Sequence, residues 1–334
     1  MTHRSLTSAF VCALALMALA QVSPLMAQTD EVKFESAQSK ITTVSAMRAR
    51  RGPQVAAEEI IRLKLGTIVS AVARSANPDT IGGRSDYWYR VNLPNSETGW
   101  LFGGLLLGYD IRRREELLRQ IFEARLKAEN TDFADEQEFY NLAASSIAEA
   151  KSPNTRAEFE LFKLLALAKW AGHLPLPNNP KDKSLYREWH RAHDAETIEN
   201  GFDGSYNLKS ELLWNLETKY HTLPIADRIA WEAAHNTQPS DCESDEVCDF
   251  FLMSGDIEYL RLHPGGAHAA DAVKELSDAL TNDVIDTANG KDSGKDAVMQ
   301  RTELKKTLSS LRQALAKTSA PGKDELLRKL NRVR

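Results

Sequence analysis

The spacing of hydrophobic and polar positions changes several times along the chain. Ala9–Ala20 is an unbroken apolar run, AFVCALALMALA, with Arg4 before it and Pro24 and the small-residue site Leu25-Met26-Ala27 after it. A run of this length suits the apolar core of an export signal and falls short of a bilayer-spanning helix. Residues 1–27 therefore read as a signal peptide. Residues 28–40 (QTDEVKFESAQSK) are polar and read as a short linker. From 41 to 109 the pattern is that of strands. Ile60–Val72 is rich in β-branched residues and is cut by Gly66; Tyr87–Leu93 alternates; Thr98–Phe102 is a further short strand. Ser75–Arg84 (SANPDTIGGR) reads as a turn-rich loop. Short strands separated by turns predict a small closed sheet.

After Tyr109 the period becomes helical. Apolar residues recur at three- and four-residue steps over Arg112–Asn130, Asp135–Ala150 (with Asp135 as N-cap) and Asn154–Ala171, where Gly172 ends the run. Leu174–Pro180 is a loop. Ser184–Asn200, Leu208–His221, Pro224–His235, Asp245–Ser254, Asp256–Leu262, Ala267–Thr287 and Asp296–Lys317 predict further helices, and the chain ends on a basic helix carrying Leu326, Leu327, Leu330 and Val333. Serial helices with short links predict an all-α array or bundle over 110–334. Tyr259–Pro264 followed by Ala267–Ala272 resembles a tetratricopeptide-like helix junction, without a fixed period along the chain; an irregular bundle is the alternative.

The strand region carries a second resemblance. Met47-Arg48-Ala49-Arg50-Arg51-Gly52-Pro53, Leu65-Gly66-Thr67-Ile68-Val69, Asp86-Tyr87-Trp88-Tyr89-Arg90-Val91 and Thr98-Gly99-Trp100-Leu101-Phe102-Gly103-Gly104-Leu105-Leu106 resemble, in order, the elements of bacterial SH3 (SH3b) domains. The acidic pair in Ala56-Ala57-Glu58-Glu59 departs from that pattern. The resemblance implies a multidomain chain in which a small all-β SH3-like barrel (41–109) precedes the helical region. It also implies a targeting or interaction role for that barrel. Trp88, Tyr89 and Trp100 each bring ~150–250 Å² of ring surface, more than so small a domain can leave in water. Trp88 and Trp100 are therefore expected in the core or its rim, with Trp88 or Tyr89 partly facing a peptide or glycan groove. Arg74, Arg84 and Tyr87 edge the Ser75–Asp86 loop and complete the candidate binding set.

Composition narrows the function. Apolar residues make up 42% and charged residues 27%, as in a soluble globular protein, and the net charge of −5 disfavours nucleic acid as a partner. Cys12 leaves with the signal, so Cys242 and Cys248 remain as a pair; in an oxidising compartment such a pair reads as a disulfide worth roughly 2–3 kcal/mol. Zinc bound by this pair would need two more ligands, and the nearest, His235, His263 and His268, match no zinc spacing. His190 and His193 lie at i, i+3 but lack a third ligand, and read as surface or packing histidines. G-x-S-x-G and H-E-x-x-H do not occur. Gly290–Asp296 imitates a phosphate loop with one residue too few between its glycines and Asp in place of Ser or Thr; it reads as a hinge. No catalytic residue, metal or cofactor is assigned. The expectation is a non-catalytic protein of the periplasm or exterior, with no transmembrane anchor. Its SH3-like region would bind peptidoglycan or a peptide or protein partner of the envelope, and its helices would form an interaction scaffold. The alternative is a cell-wall hydrolase or a regulator of one.

Overall fold

The computed structural model describes residues 31–174, 182–200, 204–236, 242, 245–291 and 297–334. The segment read as a signal peptide, the stretch read as a loop beyond Leu174 and most of the Gly290–Asp296 stretch lie outside the described residues. The N-terminal region contains β1 (Glu31–Thr42), β2 (Met47–Arg50), β3 (Glu59–Leu63), β4 (Ile68–Ser75), β5 (Asp79–Ile81), β6 (Arg84–Asp86), β7 (Trp88–Asn92), β8 (Thr98–Phe102) and β9 (Leu106–Gly108). Seven of these form one antiparallel sheet in the order β3-β2-β8-β7-β4-β1-β9.

Two expectations change here. Residues 31–40, read as linker, form most of β1, which pairs with β4 on one side and β9 on the other. Backbone pairing, not an apolar stripe, holds this strand; its side chains are largely exposed up to Lys40, with Phe34 set against Tyr89. The sheet is also open instead of closed. Because β1 stands between β4 and β9, β3 and β9 are left as the two ends of the hydrogen-bonded order. Val69 and Ala71 on β4 meet Met47, Ala49, Leu63, Val91 and Leu101 in one core, and a register shift between Ala71 and Ala73 sets the buried Ala73 opposite Arg90. The expected Ser75–Arg84 loop contains the small β5–β6 hairpin. Its turn, Gly82-Gly83, has positive φ at both residues (56° and 78°), the backbone that a two-residue hairpin turn demands and that glycine adopts without steric cost.

The rest is largely helical: α1 (Arg114–Leu126), α2 (Phe133–Ser146), α3 (Pro153–Gly172), α4 (Asp182–His193), α5 (Ser210–Tyr220), α6 (Ala226–His235), α7 (Glu246–Leu252), α8 (Ser254–Leu262), α9 (Ala269–Ala279), α10 (Asn282–Ala288), α11 (Ala297–Lys317) and α12 (Lys323–Leu330). Asp132, not Asp135, is the N-cap of α2. Asp135 sits three residues on and returns the bond to the Asp132 amide, closing a capping box. The helix expected through Asn200 stops at His193, where the Thr197 hydroxyl donates to the His193 carbonyl; β10 (Thr197–Glu199) then pairs with β11 (Tyr206–Leu208). The expected long helix from Ala267 to Thr287 breaks at Leu280, and Thr281 caps α10 by accepting from the Val284 amide. Among the described residues no helix is long and apolar enough to cross a membrane.

The two regions share a core. Ile41 and Leu65 of the strand region are buried with Leu118, Ile121, Phe122, Phe139, Phe159 and Phe162 of α1–α3. Phe122 lies 5.2–5.7 Å from the other three phenylalanine rings. The Leu65 amide also donates to Glu138 Oε2 at 2.7 Å. Further along, α6, α8, α9 and α11 pack around Tyr259, Phe250 and a set of buried leucines. Cys242 and Cys248 are joined in a disulfide, Cys248 lying in the first turn of α7 behind the N-cap Asp245.

Candidate functional site

The five sequence-nominated binding residues fall in three places. Trp88 and Tyr89 are neighbours on β7 and so point to opposite faces of the sheet. Trp88 is buried, 3% exposed, edge-on to Phe102 at 5.7 Å and clustered with Trp100; its indole Nε1 donates to Asp79 Oδ2 at 3.1 Å. Trp88 and Trp100 are thus packing residues, as expected, and β5 fixes the Trp88 ring. Tyr89 is half-buried on the other face, opposite Arg74 in the β4–β7 register, with Lys40 Nζ 4.5 Å above its ring. Burial, and then the charge of Asp86, raise its phenol above the usual range. Arg74 lies over the Tyr87 ring at 3.9 Å and donates to the Ser75 carbonyl. Arg84 donates to the Gly104 carbonyl at 2.9 Å and borders a cavity of about 260 Å³ whose far wall is Gln120, Ile121 and Ala124 of α1. The structure therefore joins Arg74, Tyr87 and Tyr89, and separates Trp88 and Arg84 from them.

A groove of about 310 Å³ opens on the Trp88 side. Its floor is Trp88 and Phe102, one wall is Met47 and Arg48 of β2, and the other is Ile81 from the β5–β6 hairpin. Val55 stands at the rim with 53% of its surface exposed. Ala46, at the turn into β2, also lines the groove and carries a left-handed φ of 47°, unusual for a residue with a side chain. The acidic pair that departs from the SH3-like pattern has a local use. Glu58 accepts from Arg51, and Glu59 faces Arg48 at 3.5 Å and Arg62 at 2.7 Å. The Arg62 hydrogen bond holds the Glu59 carboxyl below its usual value. Arg48 keeps 56% of its side chain exposed at the groove mouth. Met47 and Arg48 were visible as the opening of the first resembling element. Ile81 and Val55 were not, because their role depends on how the hairpin and the β2–β3 connection fold back.

The histidines nominated by spacing are packed. His193 is buried among Trp170, Trp189 and Tyr140, and its Nδ1 lies 3.2 Å from Glu196. That hydrogen bond, with Lys163 adding a second, brings the Glu196 carboxyl down to about 2 against the opposing cost of burial. The His190 ring lies tilted against that of Tyr206, with 4.4 Å between centroids. Elsewhere, three side chains far apart in sequence meet: His235 at the end of α6, Asp256 in the first turn of α8 and Glu275 on α9. Burial raises the Asp256 carboxyl to about 7. His235 is held above its usual value, burial being outweighed by its bonds to the Trp231 carbonyl and Glu275. No local motif marks this group. Among known proteins, no family model, curated protein or solved structure matches the chain.

Proposed function

We propose that this is a non-catalytic exported envelope protein, in which the SH3-like strand region binds a peptide segment of an envelope protein or of peptidoglycan and the helical region is a protein-interaction scaffold. The groove over Trp88 and Phe102 carries this reading. Its floor is aromatic, its rim offers exposed Val55, and Arg48 lines it with most of its side chain in solvent, a combination suited to an apolar side chain next to a carboxylate. Each of the four SH3-like elements lies on, or leads into, a strand of the one sheet, which favours the same assignment. The disulfide suits an oxidising compartment and so favours export.

The test is capture of partners from envelope extract, and of purified sacculi, by the exported chain. Val55→Asp places a charge on the exposed rim and should weaken capture at least about tenfold, or ~1.4 kcal/mol, with an unchanged melting temperature. Arg48→Ala should weaken it less. Undiminished capture by Val55→Asp together with Arg48→Ala would refute the groove as the binding site. Release of soluble fragments from sacculi by the protein alone would refute the non-catalytic assignment and favour a hydrolase. N-terminal sequencing of the exported protein should begin near Gln28.

A further inference from the structure

The geometry points to a zinc-type divalent metal site in the helical region, with His235 Nε2 and one carboxylate oxygen each from Asp256 and Glu275 as the protein ligands. The three donors come from three different helices and all lie within 4.8 Å of one another. His235 Nε2 is 3.1 Å from Glu275 Oε2 and 3.9 Å from Asp256 Oδ1. Donors held about 2.0–2.2 Å from a tetrahedral zinc ion are separated by about 3.4 Å, so these distances bracket the edge of such a site. An imidazole with two carboxylates is a donor set that zinc accepts.

Three further observations favour a cation over a simple ion pair. First, Asp256 is 3% exposed, yet its Oδ1 has no hydrogen-bond partner, and 3.9 Å from His235 is too long to supply one. A buried carboxylate oxygen facing other donors without a bond of its own is a group that a cation would satisfy. Second, His235 Nδ1 lies 2.9 Å from the Trp231 carbonyl. Nδ1 therefore donates to the backbone, and Nε2, which donates to Glu275 Oε2 while no metal is bound, is the nitrogen that would exchange its proton for the metal, the arrangement that outer-shell bonds give to metal-binding histidines. Third, the ligands sit on helices whose approach is fixed by the backbone. A β-carbon at Gly255 would stand 2.5 Å from the Ala234 carbonyl oxygen, so only glycine lets the start of α8 press against the end of α6 and carry Asp256 to His235. His235 and Glu275 keep 37% and 41% of their side chains exposed, so the outer side of the group faces solvent, where water completes the coordination. A metal bound here would tie α6, α8 and α9 together.

The exported chain, stripped with a chelator, is titrated with zinc chloride by calorimetry and with cobalt(II) by visible absorption. One equivalent of zinc should bind with a dissociation constant in the micromolar range or tighter and raise the melting temperature. Cobalt should give the d–d bands of a low-coordinate site and quench Trp231, whose ring centroid is 3.9 Å from that of His235. Glu275→Gln and His235→Gln change exposed side chains and should fold as the parent does, while weakening zinc at least tenfold and abolishing its thermal effect. Asp256→Asn should do the same; if it fails to fold, the other two variants decide. Absence of saturable zinc binding, or binding of equal strength in Glu275→Gln and His235→Gln, would overturn the assignment and leave an ion pair.

Discussion

Replacing Tyr259 with phenylalanine removes one oxygen from the centre of the helical region. The side chain is fully buried on α8. Its hydroxyl donates to Asp227 Oδ1 at 2.7 Å and accepts from the His268 amide at 3.0 Å, while Asp227 Oδ2 accepts from the Ala267 amide at 3.1 Å. One phenol thus links α6 to the turn that begins α9. Burial, and then the bond to Asp227, raise the Tyr259 pKa, so the phenol stays a donor at all ordinary pH. Loss of a hydrogen bond to a charged acceptor costs ~1.5–3 kcal/mol, and an amide left without its acceptor adds ~1 kcal/mol. The expected loss is about 3 kcal/mol. For a region of this size that lowers the melting temperature by about 6–12 °C. Calorimetry reads the temperature, and urea unfolding followed by tryptophan fluorescence reads the free energy, since Trp231 lies edge-on to Tyr259 at 5.4 Å. Asp227→Asn and the double variant complete a cycle whose coupling should exceed ~1 kcal/mol. A loss below ~0.5 kcal/mol for Tyr259→Phe, or additive single effects, would refute the account.

In the strand region, Trp100→Ala should cost ~3–5 kcal/mol, because the ring is buried with Trp88 and Phe102; a melting temperature within 2–3 °C of the parent would contradict this. Glu196 has its pKa lowered to about 2, so its stabilisation is present above the unfolded carboxylate value near 4.5 and is lost as pH falls from there toward 2. After discounting for solvent exposure, Glu196→Gln should cost ~1 kcal/mol at pH 7, and the gap from the parent should narrow between pH 5 and 3; a gap independent of pH would sink the assignment. Reducing the Cys242–Cys248 disulfide should destabilise α7 by roughly 2–3 kcal/mol, seen as faster amide exchange in 245–252; unchanged exchange would show that the link is dispensable.

The sequence signals succeeded wherever a side-chain period met a burial requirement. The Trp88 and Trp100 rings had to be buried in so small a region, and of the apolar α3 residues Phe159, Phe162, Leu165, Leu167 and Trp170 all but the half-buried Leu165 are buried. They failed where backbone partners decide structure. β1 carries almost no apolar pattern, because its value lies in the amides and carbonyls it gives to β4 and β9. Thr197 and Ile198 could extend a helical pattern on paper, but a hydroxyl bond to His193 and pairing with β11 turn them into a strand. The group at His235 was out of reach for a different reason. Its members are 21 and 19 residues apart in turn, on separate helices, and the approach that brings Asp256 to His235, Gly255 against Ala234, is a contact without a sequence period.

The same distinction governs which substitutions can probe binding cleanly. Arg84 looked like a free loop residue, yet it holds the Gly104 carbonyl and borders the cavity against α1. Removing it would disturb the junction of the strand and helical regions as well as any ligand contact. That junction is not a passive tether: Ile41 and Leu65 are buried with the phenylalanines of α1–α3, so a shift there moves both cores. Tyr87 is likewise committed, with Arg74 across its ring. Val55 and Arg48 are different. Val55 is exposed at the rim, and Arg48 spends only one partly exposed ion pair on Glu59, an interaction worth ~0–1 kcal/mol. Changes at these two positions leave the shared core and the Trp88–Phe102 floor intact. A loss of capture there therefore reports on recognition, whereas a loss at Arg84 could come from the fold.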